Sequence, residues 1–267
     1  MEFLQDSVLV VAHPDDENLW FSSILSKVDK IVMCFLPVVN NPVWTDGRRK
    51  SLTEYPLSNL HCLELEEAGV FEGVNWEQAV NTDYGLRITE NHLSDAVYKS
   101  NYDTLKTRLR EQLQGYHNVF THNPWGEYGH VEHVQVYRAV KALQDEMQFI
   151  LWFSGYASNK SADLMVKVLS EKISCSVTLE TDKLLAESIA NIYKRNHCWT
   201  WYEDYKWCDV ETFIKDTESN SIDKKYGVSL PINLLVIEPQ VSHQSSNYIR
   251  ELVAEVLGRL KSCLRVS

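Results

Sequence analysis

The chain has 267 residues, 44% of them hydrophobic and 11% aromatic, enough apolar material for a sizeable core and too much for a disordered polymer. Its formal net charge of -11 opposes phosphate backbones and anionic bilayers, so nucleic acid and membrane surfaces are excluded as expected partners and the charge reads as simple solubility. Cys34, Cys62, Cys175, Cys198, Cys208 and Cys263 form no CxxC pair and match no zinc-ribbon spacing, which predicts reduced, mostly buried thiols. The N-terminal MEFLQDSVLVVAHPDDE has no basic region ahead of its short apolar run, and no apolar stretch is long enough to span a bilayer; cytoplasmic residence is the expectation.

Ser7 to Ala12 (SVLVVA) is a β-branched run of the kind buried on both faces of a parallel sheet. A helix is expected over roughly Asp16 to Val28, with Leu19, Trp20, Ile24 and Leu25, and a second buried strand over Lys30 to Val39. This strand–helix–strand opening predicts an α/β fold with right-handed crossovers. Asn40 to Gly47 (NNPVWTDG) reads as a loop, and a helix is expected around Leu57 to Ala68 with Gly69 as its C-terminal cap. Asn91 to Tyr116 carries Leu105, Leu109 and Leu113 at helical spacing. Then come a strand (Asn118 to Thr121), a turn-rich loop (His122 to Gly129), a helix (Val131 to Met147) and a strand (Phe149 to Phe153). Ser174 to Leu179 reads as a strand, Asp182 to Arg195 as a helix capped by Asp182, Trp199 to Trp207 as a packed loop or lid, and Ser246 to Leu260 as an amphipathic helix. With no repeat and no boundary signal, residues 1–267 are expected to form a single domain.

Two segments carry chemistry. Ala12-His13-Pro14-Asp15-Asp16-Glu17 lies where the first strand gives way to the first helix, and open α/β sheets build their sites at such strand ends. His13 and Asp16 are three residues apart at a helix start, so imidazole and carboxylate can converge on one ion. Gly126-Glu127-Tyr128-Gly129-His130-Val131-Glu132-His133 also follows a strand and opens a helix, with His130 and His133 again three apart. His13, Asp16 and one histidine of that pair make three protein ligands and leave a position open for water, the arrangement of a catalytic zinc site. An acidic run at a helix start is by itself ordinary capping, and a lone HxxH is ordinary surface sequence. Their joint placement after two strands that can lie side by side is what favours a site, with Glu17 read as structural.

AHPDDE after a first strand, with a downstream HxxH behind a glycine-containing loop, resembles the PIG-L/LmbE-like N-deacetylase family. The resemblance implies a Rossmann-like α/β fold, a mostly parallel β-sheet flanked by helices, and hydrolysis of an N-acetyl group on an N-acetylglucosamine-type sugar or glycoconjugate. It implies zinc as cofactor, with ferrous iron an alternative. By motif position it implies His13, Asp16 and His133 as metal ligands, Asp15 as general base, His130 as the histidine that stabilises the charged intermediate, and Tyr128 as a mobile tyrosine of the site. It also implies a sugar-binding arginine shortly after the second strand, for which Arg48 and Arg49 are the candidates, and places Asp83, in Thr82-Asp83-Tyr84-Gly85-Leu86, near the substrate pocket. The likeness covers roughly the first 155 residues; the family's later Ser-Gln pair is replaced here by Tyr193-Lys194-Arg195-Asn196-His197.

Two rival classes share these residues: a metal-dependent amidase acting on a thiol conjugate or another non-acetyl amide, and a non-catalytic sugar- or nucleotide-binding protein. The intact His13/Asp15/Asp16/His130/His133 set, and the lack of a GxGxxG run after the first strand, weigh against the second. The expected partner is a small N-acetylated molecule; assembly into a homo-oligomer is left open.

Overall fold

The computed structural model describes residues 2–89, 92–171, 175–217 and 230–237. Met1–Leu235 gather into one compact unit; of a second, Val236–Ser267, only 236 and 237 are described, so the expected helix over Ser246 to Leu260 lies outside the described residues.

A central sheet organises the first unit. Its strands are β1 (Ser7–Val11), β2 (Lys30–Phe35), β3 (Leu60–Leu65), β6 (Asn118–Thr121), β7 (Ile150–Ser154), β9 (Ser176–Glu180) and β10 (Val210–Lys215). A hairpin of β4 (Asn81–Thr82) and β5 (Gly85–Leu86) stands apart, and β8 (Tyr156–Ser158) pairs with β11 (Asn233–Leu235). The helices are α1 (Asp16–Trp20), α2 (Pro42–Thr53), α3 (His92–Gln112), α4 (Val131–Met147), α5 (Ala162–Glu171) and α6 (Lys183–Arg195). The seven strands run in the order β3-β2-β1-β6-β7-β10-β9. The five from β3 to β7 are parallel, while β10 is antiparallel to both β7 and β9. Described helices flank the sheet as expected. The strand order reverses between β1, which leads out to β2, and β6, which leads out to β7; such a switch point opens a crevice at the carboxyl ends of the strands.

β1 shows why the sheet is covered on both sides. Val8 and Val10 face a cluster containing Leu105, Leu109, Val134 and Val140 from α3 and α4. Leu9 and Val11 face the other way, onto Leu19, Trp20, Ile24, Leu25 and Tyr193. A run in which every residue is buried needs no polar alternation, and SVLVV has none.

Three expectations are corrected. α1 ends at Trp20, and the chain to Val28 continues in turns, so its apolar side chains bury themselves without a long helix. The segment read as a loop, Asn40 to Gly47, starts α2: Pro42 supplies the preset φ of a first helical turn and Asn41 caps it by accepting the Trp44 amide at 3.1 Å. The segment expected as a helix, Leu57 to Ala68, instead holds β3, an edge strand whose LHCLEL alternation pairs in parallel with β2; Gly69, at φ +65, caps no helix. The elements expected around α3, β6, α4, β7, β9 and α6 are present, α4 with the expected bounds, and Asp182 caps α6 by accepting the Leu185 amide at 3.0 Å.

Gly47 lies inside α2 because α2 crosses close to the end of α6. A Cβ there would collide with the Asn196 carbonyl oxygen and stand 3.2 Å from Cys198 Cβ. Alanine favours a helix interior over glycine by ~1 kcal/mol, yet Gly47→Ala is expected to destabilise by about 1–3 kcal/mol through overpacking. Urea unfolding of the variant decides the sign; a gain in stability would show that the approach is not tight.

Candidate metal centre

β1 and β6 are neighbours, so the two motifs that follow them meet. Ala12 leaves the sheet with its amide donating to His122 Nε2 at 2.8 Å and its carbonyl accepting the Phe35 amide at 2.8 Å. The chain then turns sharply: Asp15 has φ 96, a left-handed value rare for any residue but glycine. That turn sends the adjacent carboxylates in different directions. Asp16 Oδ2 accepts the His13 amide at 2.7 Å and lies 3.1 Å from His13 Nδ1, while Asp16 Oδ1 lies 3.1 Å from His133 Nε2. Asp15 Oδ2 instead accepts from the amide (2.9 Å) and hydroxyl (2.6 Å) of Thr200. Glu17 lies beneath them, wholly buried, taking the Asp15 amide at 3.0 Å and the hydroxyls of Tyr55 (3.1 Å) and Tyr193 (2.9 Å), a structural part as expected.

The second motif hangs on Glu127. This buried carboxylate accepts from the Asn123 amide (2.9 Å), the Ser154 hydroxyl, His122 Nδ1 (3.1 Å) and His133 Nδ1 (2.8 Å). Burial alone would raise its pKa, but His122 and His133 outweigh burial and bring it down to about 2. With Nδ1 donating to Glu127, His133 turns its other ring nitrogen, Nε2, toward Asp16 Oδ1. That nitrogen is buried without a hydrogen-bond partner. His130 caps α4, its Nδ1 accepting the Glu132 amide at 3.2 Å, so its proton sits on Nε2; burial, with His133 and His13 nearby, holds its pKa well below the usual histidine value.

His13, Asp16, His130 and His133 are thus brought together and buried. Ligand atoms of His13, His130 and His133 lie within 4.8 Å of one another, as do those of Asp16, His122 and His133, and of His13, Glu67 and Glu132. The set fits a cation: an orphaned imidazole nitrogen facing a carboxylate oxygen, with the other ring nitrogen fixed on a second carboxylate, is the donor chemistry of a zinc-type site. His13 Nε2 lies 3.0 Å from Glu132, whose other oxygen accepts the Ala68 amide at 2.7 Å, so Nδ1 is the His13 nitrogen turned toward Asp16. Burial opposes protonation of His13, but Asp16, Glu132 and Glu67 outweigh it and raise its pKa to about 10; a bound cation would take the place of that proton.

Tyr128 stands at this cluster, its ring 5.4 Å from that of His133 and 4.8 Å from that of Trp201. The two arginines separate. Arg48 is buried, donating to the Leu36 carbonyl at 3.1 Å and pairing with Glu67, whose Oε1 is 3.7 Å from His13 Nε2. Arg49 leaves 51% of its side chain exposed and sits near Asp46 and Glu64. Asp83 is exposed at the tip of the β4–β5 hairpin, its charge felt by Tyr102 on α3, and it is not among the residues gathered here.

Sequence reasoning passed over His122, Glu127, Glu132 and Thr200. A buried strand ending directly in His-Asn, with a glutamate ahead of the HxxH, was the available signal for the first two; nothing local pointed to Thr200. It also missed Lys160, whose ammonium stands 4.9 Å from the ring of Phe71 and 5.5 Å from that of Trp76, Phe71 lying 4.9 Å from His130. Gly129 is without a side chain where Lys160 crosses it, a Cβ there falling 2.9 Å from Lys160 Cδ.

Residues 8–144, just over half of the chain, match the family model PIG-L: GlcNAc-PI de-N-acetylase, and the chain belongs to that family. Over 179 residues it is 24% identical to uncharacterized protein L374 of Acanthamoeba polyphaga mimivirus, covering 62% of this chain and 70% of that one. Among solved structures it is similar to a deacetylase–teicoplanin complex from the teicoplanin biosynthesis pathway (TM-score 0.49, 10% identity, 80% of this chain and 99% of that chain). It is likewise similar to the zinc-inhibited form of teicoplanin deacetylase Orf2 (TM-score 0.49, 11% identity, 81% and 100%).

Glu127→Gln keeps the shape but removes the charge that holds His133 Nδ1–H. It is expected to weaken divalent-cation affinity on the order of 10–100-fold, read by chelator competition on the purified protein. Unchanged affinity would detach Glu127 from the metal centre.

Proposed function

We propose that the chain is a metal-dependent hydrolase that removes the acetyl group from an N-acetylglucosamine-type sugar or glycoconjugate, with zinc, or alternatively ferrous iron, held by His13, Asp16 and His133. The observation that carries this reading is the buried His133 Nε2, which makes no hydrogen bond and lies 3.1 Å from Asp16 Oδ1, two ligand atoms placed to share one cation. When bound, the cation supplies Lewis acidity to the amide carbonyl and to a water.

The protein's own groups supply the proton chemistry. Asp15 is the general base: burial and the adjacent Asp16 push its pKa up to about 7, against the pull of Thr200 and Arg48, which suits a carboxylate that takes a proton from water near neutral pH. The water oxygen bonds to the carbonyl carbon, the C–N bond breaks, and Asp15 returns the proton to the leaving amine, giving acetate and the free amino sugar. His130 acts as a neutral donor, its Nε2–H directed to the charge that develops on the carbonyl oxygen; the accepted Glu132 amide fixes that tautomer without an imidazolium. Tyr128, Phe71 and Trp201 offer ring faces around these polar groups, the mixture that small-molecule sites use. Of the two arginines, Arg48 is the one favoured for a part near substrate, through its closeness to Glu67 and the Asp15–Asp16 charges.

Three outcomes test the reading. Purified protein is expected to release acetate from an N-acetylglucosamine conjugate, to stop on treatment with a chelator and to recover with added zinc or ferrous iron; an acetate yield indifferent to chelation rejects the metal. His13→Ala and His133→Ala are expected to lose cation and activity together, and full occupancy in both would overturn the ligand assignment. Asp15→Asn is expected to keep its metal and lose turnover on the order of a hundredfold or more; loss of metal instead would exchange the roles of Asp15 and Asp16.

A further inference from the structure

The carboxyl group of an aspartate turns about a soft, two-fold torsion, so packing alone does not decide which oxygen faces a reaction. In Asp15 the decision falls to one residue. The amide and the hydroxyl of Thr200 both donate to Oδ2, at 2.9 and 2.6 Å, and among the described residues Oδ1 accepts no hydrogen bond and is the oxygen left to take a proton. Thr200 is itself exposed, but the residues on either side of it are held independently of this contact. On one side the Cys198 amide donates to the Tyr193 carbonyl at 3.0 Å, and its thiol meets the Ser51 hydroxyl at 3.2 Å. On the other, the Trp201 ring packs on Trp20 (5.2 Å) and Tyr128 (4.8 Å), and Trp207 Nε1 donates to the Asn18 carbonyl at 2.7 Å. Asp15 itself occupies a left-handed backbone conformation, which persists in a non-glycine residue only where its surroundings over-determine it. Donors fixed before the substrate arrives are what a positioned base requires.

We infer that Thr200, well beyond the family match that ends at residue 144, is a positioning residue for the base: its paired donors fix the rotation of the Asp15 carboxylate and make the aromatic segment around it a working part of the site. The inference rests on the reading of Asp15 as the base.

Thr200→Val keeps the amide and removes the hydroxyl, whereas Thr200→Ser keeps both donors. In acetate-release assays Thr200→Val is expected to lower kcat about tenfold with KM within about twofold and metal content unchanged, and Thr200→Ser to restore kcat. A wild-type kcat in Thr200→Val overturns the inference, as does a loss that Thr200→Ser fails to rescue. An arm independent of activity measures amide hydrogen exchange by NMR: Asp15→Ala is expected to speed exchange of the Thr200 amide at least tenfold while the Cys198 amide is unchanged. Equal exchange at Thr200 in wild type and variant overturns the contact. If wild-type protein cleaves no acetamide, the proposed reaction fails by itself, and the exchange arm still decides whether Thr200 holds Asp15.

Discussion

Four donors converge on one carboxylate that has no access to water. Glu127 takes an amide from the end of β6, a hydroxyl from the end of β7, and the Nδ1 protons of His122 and His133. A buried charge without such partners costs several kcal/mol, so the loop after β6 has one satisfactory arrangement, in which each histidine shows its Nε2 to the first motif. His122 uses that nitrogen to accept the Ala12 amide and thereby ties β6 to the turn that carries His13. His133 makes no such hydrogen bond with its own, which lies 3.1 Å from Asp16 Oδ1 and makes the pair a candidate for holding a cation.

The turn after β1 solves a complementary problem. Two neighbouring aspartates in so dry a place would repel each other if they pointed the same way. The left-handed backbone at Asp15 separates them, directing Asp16 toward three imidazoles and Asp15 toward neutral donors. The electrostatics then diverge: for Asp16 the pull of His133, His122 and His13 outweighs burial and holds its pKa well below the usual aspartate value, whereas burial and Asp16 itself push Asp15 up to about 7. Identical side chains one residue apart are thus driven to opposite ends of the carboxylate range, the divergence on which the proposed roles of ligand and base rest.

Much of this was legible in the sequence because its cause was local. SVLVV shows no alternation since both of its faces are covered, and the helical reading of Val131 to Met147 matches α4. The errors arose where a local signal was outvoted. Asn-Asn-Pro reads as a loop until the proline is placed in the first turn of α2, and the helix expected over Leu57 to Ala68 overlooks that LHCLEL has the period of a strand. The ligand candidates followed from spacing, but the groups that orient them did not. Ser154, Thr200 and Tyr193 lie 27, 185 and 176 residues from the carboxylates they serve, and no periodicity links such pairs. Between Arg48 and Arg49 the sequence offered no choice, because only the pairing of α2 with Glu67 buries one and leaves the other in water.

The close crossing of α2 over the end of α6 carries a consequence for how such a chain can drift. The hydrogen atom at Gly47 leaves room for the carbonyl of Asn196 and the side chain of Cys198, and Thr200 hangs two residues further along the same strand of backbone. Position 47 and the turn from 196 to 200 are therefore coupled sterically. A side chain acquired at 47 would press on that turn and through it on the segment that carries Thr200, so in chains that diverge from this one the two places are expected to vary in concert.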